Sequence, residues 1–416
     1  MTFPRVPLRR VARIMNGGTP PSGVAEYWDG EVPFVTPPDL NGLDGGPLKS
    51  TTRTITTDGV AHSGLAPAGS VLLSTRAPIG HIGRLTSPAA FNQGCRALVS
   101  QPDHEARFLA YSLVAARADM DARGLGTTFL ELSGSSLAQV EVPLVPRVEQ
   151  RAIADYLDRE AAQIDAFIAK NEELITLLTE LRAATIGLAV TRGIRRDVPV
   201  RSTGVAWLGD VPAHWSVAGL ARYASTISGA GFPENEQGIE DAEIAFYKVN
   251  ALGQADADGV IRKSWDTISR DTARTLRARI LPPGTILLAK IGAALLLGRI
   301  RRTDRLACID NNMMAIVPND DLDARFASYA LQTFDFTTLA NPGTVPSMDM
   351  YALMHRETAV PPLPEQVAIA DYLDRRLSGL DAALDTCRRG IQLARERRAA
   401  LISAAVTGKI DAGVAA

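Results

Sequence analysis

The edges of nucleic-acid bases are read best by arginine, lysine, asparagine and glutamine, whereas serine, threonine and backbone amides more often hold phosphates. In this 416-residue chain such side chains recur in turns that follow short apolar runs. Ser74-Thr75-Arg76 follows Val71-Leu72-Leu73, and Ala289-Lys290 follows Ile286-Leu287-Leu288. Asn92-Gln93 and Asn311-Asn312 fill a second pair of turns, and Arg84 and Arg299 each come after a glycine. With Thr19 and Lys248, these residues are the candidates for DNA contact. The plain alternative for the amides is that they shape their turns by bonding the backbone.

Other chemistries lack their parts. A methyltransferase needs a cofactor loop and an Asn/Asp-Pro-Pro-aromatic string on whose aromatic ring a flipped base stacks. Asn341-Pro342-Gly343-Thr344 has neither the second proline nor the aromatic, and reads as a tight turn. Gly408-Lys409 is not a phosphate loop, because Ser403 stands where the leading glycine belongs and Ile410 follows the lysine. His62, His81, His104, His214 and His355 are scattered without zinc or triad spacing. No catalytic residue and no metal ligand is therefore assigned.

Such a length favours two or three domains. With 46% hydrophobic and 22% charged residues the chain can build real cores. The net charge, 44 − 46 = −2, argues against indiscriminate coating of nucleic acid, so any DNA binding must be local. The basic residues are nearly all arginine, which suits bidentate contacts to guanine and phosphate and is equally explained by codon bias. Cys95, Cys308 and Cys387 lie far apart and read as buried or inert thiols. No apolar run approaches the roughly 18 residues that span a bilayer, and the start MTFPRVPLRR lacks the apolar stretch of a signal peptide; a cytoplasmic protein is expected.

An internal repeat sets the organisation. Glu149-Gln150-Arg151-Ala152-Ile153-Ala154-Asp155-Tyr156-Leu157-Asp158-Arg159 returns 216 residues later as Glu365-Gln366-Val367-Ala368-Ile369-Ala370-Asp371-Tyr372-Leu373-Asp374-Arg375, with ten of eleven positions identical. The offset holds through Ala189-Val190-Thr191 and Ala405-Val406-Thr407, so about 45 residues repeat without a gap. Upstream the match is looser: Pro67-Ala68-Gly69 answers Pro282-Pro283-Gly284, Gly83-Arg84 answers Gly298-Arg299, Asn92-Gln93 answers Asn311-Asn312, and Gly126-Thr127 answers Gly343-Thr344.

The ungapped segments are free of proline after their first residues and read as long helices. In the first, Ile164, Phe167, Asn171, Leu174, Leu178, Leu181, Thr185 and Leu188 alternate at spacings of three and four, the pattern of a coiled-coil seam. Asn171 either fixes register there or simply faces solvent. The second helix carries Leu380 and the smaller Ala383, Cys387, Gly390 and Ala394 along the matching stripe. The expected order is a globule over 1–147, a helix over 148–196, a linker and second globule over 197–361, and a helix over 362–416. The globules, with short apolar strands broken by Gly and Pro turns, read as irregular α+β domains.

These residues resemble the specificity subunits of type I restriction-modification systems over nearly the whole chain. The carrying motifs are Gly17-Gly18-Thr19-Pro20 with Tyr27-Trp28, Trp207-Leu208-Gly209-Asp210-Val211-Pro212-Ala213-His214-Trp215, Pro361-Pro362-Leu363-Pro364-Glu365-Gln366, and Ala405-Val406-Thr407-Gly408-Lys409-Ile410-Asp411. The resemblance implies an α+β protein with two target-recognition domains, each reading half of a split double-stranded DNA sequence, joined by two helices that form an antiparallel coiled coil. It further implies methyltransferase subunits, two of them, as partners, with restriction or translocase subunits as further ones. S-adenosylmethionine would sit on the methyltransferase, with no cofactor on this chain and no membrane partner. Two departures touch the first domain: it has no Trp-containing lead-in, and its helix entry reads Leu144-Val145-Pro146-Arg147-Val148-Glu149. A near-neutral charge leaves a second reading, a coiled-coil adaptor whose globules bind protein.

Overall fold

The computed structural model describes residues 3–124, 130–195, 197–256 and 258–410; Gly126-Thr127 and Asp411 of the sequence motifs lie outside them. The chain divides into two compact units, Met1–Asn171 with Arg389–Ala416, and Glu172–Arg388. Each unit therefore holds one globule and a part of each long helix, so the compact units cut through the helices instead of separating them from the globules.

In the first unit five strands, β1 (Ala12–Asn16), β2 (Pro47–Leu48), β3 (Val71–Ser74), β4 (Ile82–Leu85) and β5 (Cys95–Ser100), form one sheet in the order β1-β5-β3-β4-β2. In the second unit β6 (Ala224–Ser228), β7 (Val260–Ile261), β8 (Ile286–Ala289), β9 (Arg301–Thr303) and β10 (Met313–Pro318) repeat it as β6-β10-β8-β9-β7. The pair at one edge, β4 with β2 in the first sheet and β9 with β7 in the second, is parallel, and the others are antiparallel. Every residue of β3 and β8 is buried, which is why these central strands read as continuous apolar runs. Each begins after a glycine turn, Gly69 at φ +80° and Gly284 at φ +84°, a backbone conformation that glycine adopts without strain. A helix packs beside each sheet, α1 (Ala106–Ala115) in the first unit and, after the long helix α2 (Arg147–Arg192), α3 (Ala324–Leu331) in the second; the second long helix is α4 (Leu363–Val406).

Strand register corrects part of the repeat alignment. Val71 pairs with Arg84 and Ile286 with Arg302, so the structural counterpart of Arg84 is Arg302 and not Arg299. Three extra residues enter the second unit between β8 and β9, where the short helical turn Ala293–Leu296 forms. The amide of Cys95 donates to Asn92 O and that of Met313 to Asp310 O, so Asn92-Gln93 answers Asp310-Asn311, one residue earlier than the sequence alignment.

The long helices pair antiparallel within each unit. In the first, Arg398 Nη1 donates to Asp165 Oδ1 at 2.9 Å and Arg397 Nη2 reaches Glu160 Oε2 at 3.4 Å. In the second, Arg182 Nε donates to Asp381 Oδ1 at 3.0 Å. At the 216-residue offset Asp165 becomes Asp381 and Arg182 becomes Arg398, so one ion pair occurs twice with its donor helix exchanged. Half of the expected seam holds: Ile164, Leu380 and Cys387 are buried and Asn171, Leu178 and Thr185 half-buried. In the other half Phe167, Leu174, Leu181 and Leu188 are exposed, although Phe167 still lies against Gly390 of α4, and half-buried Ile168, Ile175 and Arg182 follow one residue further on. In α4 the inward residues are Leu377, Leu380, Leu384, Cys387 and Ile391, with Ala383 half-buried beside them. A three-four alternation admits two phases, and the leucines drew the sequence reading to the wrong one.

Those displaced leucines also make α2 the one described helix long and apolar enough, by length and composition, to cross a membrane: it holds an 18-residue stretch of mean hydropathy 1.5, 17% buried. The sequence reading missed this because Glu180 and Arg182 interrupt the run. All three cysteines are buried and free, and burial pushes the Cys95 thiol up to about 12 and the Cys308 thiol to about 11.

Candidate nucleic-acid interface

The seat of each globule on its long helix is built from polar groups that the sequence reading did not single out. Gln150, 1% exposed, donates through Nε2 to Val145 O at 2.8 Å and Asp103 O at 3.4 Å, while its Oε1 accepts from the Glu105 amide at 2.8 Å. Gln366, 0% exposed, repeats all three with Pro361 O, Asp321 O and the Asp323 amide at 2.9, 2.9 and 2.8 Å. Five and eight residues further along the helix, Asp155 Oδ1 accepts from Arg107 Nη1 at 2.6 Å and Asp158 Oδ2 from the same nitrogen at 3.0 Å, and Tyr111 Oη donates to Asp158 Oδ1 at 2.6 Å. Arg325 does the same with Asp371 and Asp374 at 2.8 and 2.9 Å, and Tyr329 with Asp374 at 2.5 Å. Burial, and then the hydrogen bond to aspartate, pushes both tyrosine hydroxyls up, so each stays a donor. Burial opposes the charge of Arg107, yet the carboxylates of Asp155, Glu105 and Asp158 outweigh it and hold the guanidinium charged. A repeat search could have found this set: Ala106-Arg107-Phe108 and Tyr111 recur as Ala324-Arg325-Phe326 and Tyr329 at offset 218.

Two DNA-contact candidates turn inward instead. Arg84 sends Nε to Gly45 O at 2.7 Å and Nη2 to Asp158 at 3.0 Å, which commits its guanidinium to the globule and helix of the first unit. Thr75 is fully buried, its hydroxyl directed at Gly94 O at 3.2 Å. The other candidates remain at the surface, several of them held. Thr19 donates to Gln93 Oε1, and both are exposed. Asn92 Oδ1 accepts from the Gly94 amide at 3.0 Å, the turn-shaping role that was its alternative. Arg76 is half-exposed, 3.4 Å from Glu131. In the second unit Lys248 Nζ meets Asp266 Oδ2 at 2.8 Å and Gln237 Oε1 at 2.9 Å. Lys290 is half-buried, and its amide donates to Asn312 O at 2.8 Å. Asn311, Asn312 and Arg299 are exposed. Arg76, Asn92, Gln93 and Thr19 thus gather around the end of β3, as Lys290, Asn311 and Asn312 do around the end of β8.

Backbone proximity explains the first glycine of Gly17-Gly18-Thr19-Pro20. A side chain on Gly17 would come within 2.2 Å of Asn92 O, and one on Gly229 within 1.8 Å of Asp310 O. Both units therefore press a glycine against the same turn, and the Gly18 and Ala230 amides close it by donating to Phe91 O and Ile309 O at 3.0 and 2.9 Å. Among the described residues no group of three His, Cys, Asp or Glu side chains is placed to hold a metal ion.

The sequence profile described as "Type I restriction modification DNA specificity domain" matches residues 3–176 and again 227–384, one match to each globule and most of the chain in total. The chain belongs to this family. Among similar proteins are the type I restriction enzyme MjaIX specificity subunit of Methanocaldococcus jannaschii, 25% identical over 86% of this chain and 82% of the relative, and the type I restriction enzyme EcoBI specificity subunit of Escherichia coli, 27% identical over 46% and 40%. A chain solved in work on complex assembly and conformational transition of the type I R-M system has the same fold at a TM-score of 0.68, with 16% identity and 98% of both chains covered. As a DNA-specificity subunit it is not itself a catalyst, and its DNA and methyltransferase partners follow from the family. The coiled-coil adaptor reading, in which the globules bind only protein, is set aside on the same ground.

The specificity subunit also exposes apolar surface along its helices. In the second unit Leu174, Leu177, Leu181 and Leu188 are 44 to 57% exposed. In the first unit Ile164, Phe167, Leu393 and Ala394, flanked by Glu160 and Arg397, line a groove of about 410 Å³. Exposed apolar stripes of this kind are candidate contact surfaces for another protein.

Proposed function

We propose that each globule reads one half of a bipartite double-stranded DNA target, and that each unit carries one methyltransferase subunit on its exposed helix face, giving two. S-adenosylmethionine binds on those subunits and not on this chain, restriction or translocase subunits join the same assembly, and the complex works in the cytoplasm. The duplication carries the reading: two globules share one fold and one seat on their helix, while the residues around the ends of β3 and β8 differ. Base readout then comes from Thr19, Arg76, Asn92 and Gln93 in the first unit and from Lys248, Lys290, Arg299, Asn311 and Asn312 in the second, with Thr75 and Arg84 supporting them from behind.

The test is to replace residues 1–147 by the matching region of a relative and to map methylated sites of the complete complex. One half of the target should change and the other persist. Mapped sites with both halves altered, or methyl transfer by the purified chain alone, would contradict the proposal.

A further inference from the structure

The apolar contact between the first globule and its helix is made by Phe108, Tyr111, Val145, Ile153 and Leu157, with Ile402 and Val406 of α4. Apolar contact has no preferred direction and would let a globule turn on the helix at little loss of area. Direction comes from the polar groups. One carboxylate, Asp158, receives Tyr111 and Arg84 on Oδ1 and Arg107 on Oδ2, so strand β4, helix α1 and helix α2 meet on it. Asp374 receives Tyr329 and Arg325 in the second unit. Charge-assisted bonds of this kind are short and angle-dependent, and here they occur in both units.

We infer that Asp158 and Asp374 are positioning residues that fix the angle at which each reading globule stands on its helix, and through it the length of gap the complex accepts between half-targets. The inference rests on the bipartite reading above. Neighbouring gap lengths differ by one base pair, which moves a half-site by roughly 3.4 Å and turns it by roughly 34° about the DNA axis. A globule held on its helix by the full set of directional bonds rejects such a turn; one that has lost its bonds to Asp158 or Asp374, and keeps only those of Gln150 or Gln366 and of Asp155 or Asp371, tolerates it more readily.

The experiment uses the complete complex with its methyltransferase subunits and a set of duplexes carrying the same two half-sequences at the native gap and at gaps one base pair shorter and longer. Wild type is compared with Asp158→Asn, Asp374→Asn and the milder Tyr111→Phe and Tyr329→Phe, which remove one hydroxyl each and keep the test available where an aspartate variant fails to fold. Methylation at the neighbouring gaps relative to the native one should rise by about ten-fold, the size expected for losing a hydrogen bond to a charged group, with both half-sequences unchanged. An equal fall at all gaps would reduce the clamp to a stabilising contact and overturn the inference, as would a changed half-sequence. Wild-type complex that ignores the half-sequences altogether would instead overturn the bipartite reading itself.

Discussion

The two units keep the same frame and differ at its corners. Gln150 and Gln366, Asp158 and Asp374, Tyr111 and Tyr329, and the ion pairs Asp165–Arg398 and Asp381–Arg182 superpose in role and nearly in distance. The turns do not. After the equivalent strands Trp28–Val35 and Ile244–Tyr247, which pair in parallel with the strands ending at Phe91 and Ile309, the first unit places Thr36, whose amide and hydroxyl donate to Asp39 at 2.8 and 2.6 Å, and Thr52 completes that carboxylate's contacts. Burial alone would raise the Asp39 carboxyl, but these donors hold it below its ordinary value. The second unit places Lys248 there, paired with Asp266. One corner is a carboxylate satisfied by neutral donors and the other an ammonium-carboxylate pair. What seats a globule on its helix is thus duplicated, and what faces outward is free to diverge, as a protein reading two different half-targets requires.

Equivalence of the frame is open to direct attack. Ile164 and Leu380 are the same seam position at the 216-residue offset and are 6% and 9% exposed. Ile164→Ala and Leu380→Ala should each destabilise by about 2 to 5 kcal/mol, within about 1 kcal/mol of one another, whereas exposed Leu174→Ala should stay within roughly 1 kcal/mol of wild type. Chemical unfolding of the three variants checks this; unequal losses at the paired sites would break the symmetry. The docking faces come next. Leu177→Asp with Leu181→Asp should weaken methyltransferase binding roughly thirty-fold or more at the second unit alone, leaving one partner subunit where wild type carries two. Light scattering that still finds two would remove that face from the assembly.

The long helices and their ungapped repeat were legible because helix register cannot absorb insertions, so sequence identity survived there. Fold class followed from the Gly-Pro turns and apolar runs. The seam phase was not legible: Leu174, Leu181 and Leu188 are the most apolar series on α2, yet inward positions go to Arg182 and Ile175, because an inward arginine that meets Asp381 satisfies its charge in a half-buried site. Apolar residues left outside report a partner and not a core. The DNA candidates were legible as turns, not as contacts. Arg84 and Thr75 sit at the ends of strands just as exposed readers would, and nothing in their local sequence shows that Asp158, 74 residues on, or Gly94, 19 residues on, takes their donors.

Acid should separate the units by a smaller margin. In the first unit, burial lowers the histidine pKa values of His81 and His104, and both ring nitrogens of His104 are buried without a protein hydrogen-bond partner. A histidine whose folded value lies below its unfolded 6.5 binds protons better unfolded, so its contribution is present above that pH and lost as pH falls through it. Between pH 7.5 and about 5, above the ordinary carboxylate range, the first unit should loosen more than the second. Hydrogen exchange, corrected for its intrinsic pH dependence, reads each unit separately; equal loosening would refute the asymmetry.

The smallest expected effect bears on the turn where frame and reading meet. Asn92 Oδ1 accepts from the Gly94 amide at 3.0 Å, and its counterpart Asp310 accepts from the Asn312 amide at 3.1 Å. Asp310 is 9% exposed, and burial raises its carboxyl pKa. A carboxyl raised in the folded state lends stability below its unfolded pKa and loses it as pH rises through the folded one, so at neutral pH this charge works against the second unit. Asp310→Asn keeps the acceptor and removes the charge; it should stabilise that unit at pH 7 by up to about 1 kcal/mol. Asn92→Asp makes the reverse change and should destabilise the first unit by a similar amount, since Asp39 already places a negative charge near the adjacent Cys95. Thermal unfolding at pH 7 gives both signs. Methylation mapping of the same variants then sorts the turn: if each half-target is unchanged, Asn92 and Asp310 shape the loop from within, and if Asp310→Asn alters the second half-target while leaving the first alone, the side chain belongs to the reading surface and the division between shared frame and divergent corner runs one residue deeper.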